Sequence, residues 1–361
     1  MLNNNSLYKI LDKLDDAIII VDSNQKIIFQ NSYAIEIFEN DFSSQIITNL
    51  IREPLILDKL EETIKTGEET SVRYSKKMTL HSSSNELHYD VLIYKEEKQE
   101  TEECFVIILK NVTVSRNLEK VKTSFVANVS HELKTPLSTI LGFIETMRTT
   151  AKDDNESKEE FLKIINDESL RMDRLIDDLL LVSKIESNEH LHPTKKVDIG
   201  ECVKRVSINL EKKLAKKNMK VSTKVQSDHL NVLGNEDELI QLFSNLIENS
   251  FKYGNPDSEI NIYMSKEANE NIDDKVNLFS NSYIKIKIED ESDGIPEKYI
   301  HRLTERFFRV DKARSKSIDG TGLGLTIVKH ILNKHRGKID ISSEINVGSV
   351  FTVQIPESPI S

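Results

Sequence analysis

The sequence predicts a multidomain α+β chain: a small mixed domain at the N-terminus, an antiparallel helical hairpin in the middle and an α/β domain at the C-terminus. Three observations carry this expectation. The 361 residues suffice for two or three domains. Two long central stretches repeat their apolar residues three and four apart, the period of helices with one buried stripe. Both ends instead carry short strand-like runs separated by polar turns.

In the first segment, Ala17 to Asp22 and Lys26 to Gln30 flank a Ser23-Asn24-Gln25 turn and predict a β-hairpin. A helix is expected around Ala34 to Phe38, with strands at Thr70 to Tyr74, Leu87 to Tyr94 and Cys104 to Lys110. The central stretch opens with Leu118, Val121, Phe125, Val129, Leu133, Leu137 and Ile144 on one helical face. His131 falls roughly opposite that face, toward solvent. Pro136 lacks an N–H and clashes with the carbonyl of Glu132, so a bend is expected beside the histidine. Thr149 to Asn155 makes the turn, and Ser157 to Glu160 fits a capping box for the second helix. That helix carries Phe161, Ile165, Glu168, Met172, Leu175, Leu179 and Val182 in heptad spacing, with Glu168 the single polar member. Two such helices cannot bury their stripes alone, whereas a homodimeric four-helix bundle would.

The C-terminal part starts with a second capping box, Asp198 to Glu201, ahead of Val203, Val206, Leu210 and Leu214. Strands are expected at Lys220 to Val225 and Leu230 to Leu233, then a helix from Glu236 to Tyr253. On that helix Leu239, Phe243, Leu246 and Ile247 share one side, and Asn245, Glu248, Asn249 and Lys252 the other. Two asparagines a turn apart are poor helix formers, which points to a use beyond folding. Tyr283 to Glu289 alternates with period two and delivers Asp290 to a loop. Gly320, Gly322 and Gly324 precede an apolar helix, Leu325 to Leu332, where small residues and the helix dipole let backbone N–H groups meet phosphates. Strands at Lys338 to Ser342 and Val350 to Ile355 complete a sheet, and the polar Glu267 to Asp274 reads as a loop.

A net charge of -11 argues against nucleic acid as a partner. It also requires that any polyphosphate be held by local donors or a metal. The longest apolar runs are too short to span a bilayer, which makes the chain cytoplasmic, or held at a membrane only by a longer native form. Cys104 and Cys202 have no metal-like spacing and fit a reducing compartment.

FVANVSHELKTPLSTI, residues 125–140, resembles the phosphoacceptor motif of two-component sensor histidine kinases. NLIENSFKYG, residues 245–254, resembles that family's asparagine box, and FFRVDKARSKSIDGTGLG, residues 307–324, its mobile lid. The first segment, from DDAIIIVDSNQKIIFQNSYA to VIILKNVT, is similar to PAS sensory domains, with Asn111 where the family commonly has aspartate. Within the family the motifs look most like the phosphate-regulon sensor kinase group. The resemblance implies a PAS-like sensor over 1–113, a dimerisation and histidine phosphotransfer hairpin over 114–190, and an ATP-binding α/β sandwich of the histidine kinase and Hsp90-like type over 196–361.

It also implies roles for single residues. His131 accepts the phosphoryl group, Glu132 takes the other ring N–H, and Thr135 orients the water that hydrolyses a partner's phosphoaspartate. ATP would be bound by Asn245, Asn249, Lys252, Tyr253, Asp290, Gly294, Arg309, Arg314, Gly320, Thr321, Gly322, Leu323 and Gly324, with Lys312 a further phosphate contact and Asn249 the ligand of Mg²⁺. Where the family reads D-x-G-x-G, this chain has Ser292 in place of the first glycine, a cost if that backbone needs positive φ. The partner implied is the receiver domain of a response regulator, and the oligomer a homodimer. Two rivals are weighed: a phosphotransfer scaffold with a decayed ATP domain, opposed by Asn249, Asp290 and the three glycines, and a chaperone or mismatch-repair ATPase, opposed by the H-E-x-x-T-P run. For the N-terminal domain, ligand sensing and a dimerisation module that binds nothing both stand; His81 and His88 are its haem candidates.

Overall fold

The computed structural model describes residues 9–38, 41–80, 83–97, 103–149, 154–227, 230–268, 282–310 and 320–358. His81, Lys312 and Arg314 lie outside them, as do 150–153 of the expected turn. The chain divides into two compact units, Met1–Val126 and Ala127–Ser361.

The first unit is built on an antiparallel sheet of order β2-β1-β5-β4-β3. Its strands are β1 (Ala17–Asp22), β2 (Ile27–Gln30), β3 (Thr70–Leu80), β4 (Ser83–Glu97) and β5 (Glu103–Asn111). Helices α1 (Ser32–Phe38) and α2 (Pro54–Thr66) join the same apolar core, α2 through Ile56 and Leu60. Asn31 is fully buried because all its amide hydrogen bonds are made. Its Oδ1 accepts from the N–H of Ile18 at 2.9 Å and of Ala34 at 3.0 Å, and its Nδ2 donates to the carbonyls of Leu11 and Asp16. At the end of β5, the central strand, Asn111 Oδ1 accepts from the N–H of Thr113 at 3.0 Å, starting helix α3 (Thr113–Arg148). Asp90 of β4 pairs with Arg116 of α3 at 3.3 Å.

Helix α3 runs unbroken through Pro136, the one residue of the helix that is buried. Helix α4 (Asn155–Ser187) starts two residues ahead of the expected box. Its cap is Asp154, whose carboxylate accepts from the N–H of Glu156 and Ser157, both at 3.1 Å, and from the Ser157 hydroxyl at 2.6 Å. Ser157 is thus the partner of the cap and not the cap itself. Phe143 and Phe161 meet across the hairpin with ring centroids 5.0 Å apart. Much of the expected stripe of α3 is open: Leu118 is 65% exposed and Leu137 46%. On α4, Leu175 and Val182 of the expected heptad, with Ile185, instead enter the core of the C-terminal domain.

That domain is a sheet covered on one face by helices. The sheet order is β11-β12-β10-β9-β7, antiparallel except for the β7–β9 pair. In chain order the elements are β6 (Lys196–Asp198), α5 (Ile199–Ala215), β7 (Lys220–Val225), β8 (Asn231–Leu233), α6 (Glu236–Tyr253), β9 (Glu259–Ala268), β10 (Ser282–Asp290), α7 (Glu297–Ile300), α8 (Gly324–Lys334), β11 (Lys338–Glu344) and β12 (Gly348–Pro356). The alternation in β10 puts Ile284, Ile286 and Ile288 into the core. Leu239, Leu242, Phe243, Leu246 and Ile247 of α6 are fully buried, each contributing roughly 1.5–3 kcal/mol of transfer free energy. Glu267, expected in a loop, is instead in β9, where its carboxylate accepts from the Tyr283 hydroxyl at 2.9 Å and from Lys285 at 3.3 Å. These cross-strand partners satisfy a polar side chain that composition alone assigns to a loop. Among the described residues no helix is long and apolar enough to cross a membrane.

One buried histidine links two helices of this domain, α8 and α6. His335 Nδ1 donates to the Ile331 carbonyl at 2.7 Å, and its Nε2 accepts the N–H of Asn235, the residue that caps α6, at 3.1 Å. Burial holds its pKa below the ordinary 6.5, because a second ring proton would face the Asn235 N–H. A depressed histidine pKa means that the unfolded chain takes up the proton first, so stability is lost as pH falls below about 6.5. Melting curves of wild type and His335→Gln from about pH 8 to pH 5.5 are expected to show the wild type losing its advantage on the acid side. A constant gap across that range would mean that His335 does not carry this proton linkage.

Candidate functional site

The hairpin half of the site is centred on His131, exposed in the middle of α3. The next residue, Glu132, is half-buried against α4, where Arg171 approaches its carboxylate at 3.8 Å and that of Glu168 at 3.7 Å. Thr135 donates its hydroxyl proton to the His131 carbonyl at 3.1 Å, leaving the oxygen lone pairs as acceptors. A small recess beside these groups is lined by Glu132, Pro136, Arg171, Met172, Leu175 and Thr321. Thr321 comes from the glycine loop of the C-terminal domain, so the recess joins both halves.

Helix α6 presents the second half. Asn235 caps it, accepting from the N–H of Asp237 at 3.1 Å and Glu238 at 3.2 Å. With the apolar side of α6 locked in the core, its other side is fixed in direction. Asn245 is half-buried; its Oδ1 accepts from Gln241 at 3.4 Å, while its Nδ2 is sealed from solvent with no hydrogen-bond partner among the described residues. A buried donor left unmatched fits a site that awaits an acceptor. Asn249 follows one turn later, also half-buried. Lys252 pairs with Glu248 at 3.6 Å, Lys213 meets the same carboxylate at 3.0 Å, and Tyr253 is 48% exposed. Lys217 closes the helix C-terminus by donating to the carbonyls of Phe251 and Lys252.

Asp290 ends β10 with its side chain almost wholly buried. The Ser250 hydroxyl of α6 donates to one carboxylate oxygen at 2.9 Å, and the Ser349 N–H of β12 to the other at 3.2 Å. Burial pushes the Asp290 pKa up, against hydrogen bonds from Ser292, Ser250 and the Ser349 N–H that favour the anion. Ser292 sits there without strain: its φ is not positive, and its hydroxyl accepts the N–H of Gly294 at 3.4 Å. The cost expected from a left-handed backbone is therefore absent at that position. The demand falls on Gly294, whose φ is +73° and where a Cβ would lie 2.2 Å from the Glu344 carbonyl oxygen.

The glycine loop closes the site. Gly322 has φ +72°, and a Cβ there would come within 2.9 Å of Phe307 Cα. Arg309 Nη1 donates to the Gly320 carbonyl at 2.6 Å, and the Leu323 N–H to the Thr321 hydroxyl at 3.3 Å. Gly324 opens α8 against α6, an added Cβ lying 3.7 Å from Asn245 Oδ1. Thr321 also donates to Asp178 of α4 at 2.7 Å, and burial there raises the Asp178 pKa. Arg306 with Glu186 at 2.7 Å and His330 with Glu189 at 3.0 Å repeat the contact between hairpin and C-terminal domain.

The geometry thus gathers Asn245, Gly324, Ser250 and Asp290 around α6, and brings Thr321 to Glu132 across the recess. Sequence reasoning missed Arg171, Asp178, Ser250 and Ser349. Ser250 had a legible signal, a small polar residue in line with the apolar stripe of α6; the other three act across long separations that no local pattern records.

Comparison with known proteins agrees with this arrangement. Residues 121–188 match the His Kinase A phospho-acceptor domain, and residues 234–359 the histidine kinase-, DNA gyrase B- and HSP90-like ATPase. The chain is 30% identical over 355 residues to the phosphate regulon sensor protein PhoR of Pseudomonas aeruginosa, covering 96% of this chain and 73% of that protein. It is 34% identical over 249 residues to drug sensory protein A of Synechocystis, covering 68% of this chain and 36% of that protein. The solved complex of histidine kinase ThkA with response regulator protein TrrA shares the fold, with a TM-score of 0.52 at 19% identity, over 97% of this chain and 98% of the other. With an ATP-binding domain beside a phosphoacceptor hairpin and this extent of likeness, the chain belongs to the sensor histidine kinases of two-component systems.

Proposed function

We propose that this kinase phosphorylates itself on His131, passes the phosphoryl group to an aspartate of a response regulator's receiver domain, and also hydrolyses the phosphorylated regulator. The observation that carries the reading is the joining of the two halves at the recess, where Glu132 of the histidine motif and Thr321 of the glycine loop line one small space. The lone pair of a neutral imidazole nitrogen of His131 attacks the γ-phosphorus. The bond from that phosphorus to the β,γ-bridging oxygen breaks, ADP leaves with the electron pair, and Glu132 accepts the N–H of the other ring nitrogen. Asp290 would hold the adenine amino group, and its two oxygens are already oriented by Ser250 and Ser349. Asn245 Nδ2 is an unmatched donor for a phosphate or ribose oxygen, while Gly322, Leu323 and Gly324 offer backbone N–H groups at the α8 N-terminus. Lys252, Tyr253, Arg309 and Arg314 add charge and donors for the phosphates.

The donor set suits Mg²⁺, since Asn249 offers one hard amide oxygen and phosphates with waters supply the remaining positions. Bound there, the ion neutralises phosphate charge that a chain of net charge -11 otherwise repels. The open stripe that includes Val121, Leu137, Leu141 and Ile144 of α3 and Leu170 and Leu180 of α4 supports a homodimeric four-helix bundle, in which a second copy covers it. The domain reading of a PAS-like sensor, 1–113, a phosphotransfer hairpin, 114–190, and a catalytic domain, 196–361, follows the same logic, and the likeness to a phosphate regulon sensor supports phosphate-linked signalling.

Incubated with Mg-ATP, the protein is expected to gain an acid-labile, base-stable phosphoryl group that is absent in His131→Gln. Labelling that survives in the variant would overturn the assignment. Asn249→Ala should abolish labelling while sedimentation still shows the dimer; labelling near the wild-type rate would reduce Asn249 to a structural role. Thr135→Ala removes a hydroxyl and keeps a good helix former, so the kinase reaction should continue while the phosphorylated regulator decays at nearly its spontaneous rate. A time course of phospho-regulator with ADP and either protein tests this, and equal acceleration by both would remove Thr135 from the reaction.

A further inference from the structure

Glu132 needs more than proximity to His131 to accept a proton from its ring. Its carboxylate must be ionised and aimed along α3, although it is half-buried against a second helix. The only cation that an ion pair places on it among the described residues is Arg171, one helix away at 3.8 Å. The same guanidinium lies 3.7 Å from Glu168, the single polar member of the α4 heptad. Neither contact is short enough for a hydrogen bond, and Glu168 Oε2 is shut off from solvent without one. Arg171 is therefore balanced between two carboxylates and committed to neither. Its side chain is 31% exposed and borders the recess that Glu132, Pro136 and Thr321 share.

We propose that Arg171 is a positioning residue for the phosphorylation of His131: shared between Glu132 and Glu168, it holds the Glu132 carboxylate in direction while leaving its oxygens available to the imidazole. This rests on the reading of Glu132 as the acceptor of the His131 ring proton. A guanidinium suits the task because it is always charged, its planar donors fit carboxylates, and it never competes for the proton itself. Two carboxylates with one cation also explain why a glutamate occupies a heptad position that packing would fill with an apolar residue. Glu168 takes up the guanidinium whenever Glu132 turns toward the histidine, so no buried charge is left unpaired during the reaction.

The test is the initial rate of autophosphorylation of the full chain against ATP concentration, for wild type, Arg171→Gln, Arg171→Lys, Glu132→Gln and the double variant. Arg171→Gln is expected to lower kcat roughly tenfold, with KM for ATP within about twofold, because it displaces a proton acceptor and leaves the nucleotide site alone. Arg171→Lys should recover most of the rate, and in the Glu132→Gln background Arg171→Gln should have no further effect. Should Arg171→Gln fail to fold by circular dichroism, Arg171→Met, which retains the apolar stem, replaces it. A wild-type kcat in the Arg171 variants while Glu132→Gln is slow would overturn the proposal, as would equal losses in both backgrounds. If Glu132→Gln itself keeps the wild-type rate, the reading of Glu132 fails first, and the role of Arg171 fails with it.

Discussion

The site depends on the burial of one side of α6. Leu239, Leu242, Phe243, Leu246 and Ile247 have no exposed surface, and at about 25 cal/mol per Å² of apolar area their burial outweighs the poor helix propensity of Asn245 and Asn249. Rotation of this helix about its axis would expose those side chains, so the polar side has only one direction in which to point. From that constraint follow the contact of Ser250 with Asp290, the packing of Gly324 against Asn245 and the cap that Asn235 makes with help from His335. Asn245, Ser250, Asp290 and Gly324 are thus held on rigid elements, with close backbone approaches at Gly294 and Gly322.

The hairpin is tied to this scaffold from one side only. Leu175, Val182 and Ile185 extend the catalytic core onto α4, while Thr321 with Asp178, Arg306 with Glu186 and His330 with Glu189 form a polar border. Of these polar contacts, Arg306 and both members of the His330–Glu189 pair are less than a third exposed. Thr321 belongs to the loop read as a phosphate cradle and is also the hydroxyl donor to Asp178. The Thr321 hydroxyl therefore ties the glycine loop directly to α4.

Several features of the nucleotide side look like departures from a pattern until their neighbours are seen. Ser292 occupies a position read as glycine, but its backbone is unstrained and its hydroxyl joins buried Ser349, which in turn meets half-buried Ser343. Ser292, the Ser250 hydroxyl and the Ser349 N–H hydrogen-bond the Asp290 carboxylate, whose desolvation favours the neutral acid. At the exit of the first unit Asn111 accepts the Thr113 N–H, and Asp90 on the neighbouring strand pairs with Arg116.

The sequence by itself determined what is local. Period two gave the core-facing Ile284, Ile286 and Ile288 of β10, period 3.6 gave the two faces of α6, and the H-E-x-x-T-P and glycine motifs gave the chemistry, because each is a contiguous pattern of side-chain types. Its errors were also local competitions: Asp154 outranked Ser157 as a cap, and Glu267 was drawn into β9 by Tyr283 and Lys285. Only the tertiary structure decided which polar groups share a space. Arg171 meets Glu132, Asp178 meets Thr321, and Ser349 meets Asp290 because packed helices and paired strands set those distances, and no residue in any of the three pairs is within helical reach of the other. Helix propensity and alternation report how a segment buries its apolar side; they carry no information on what its polar side will face.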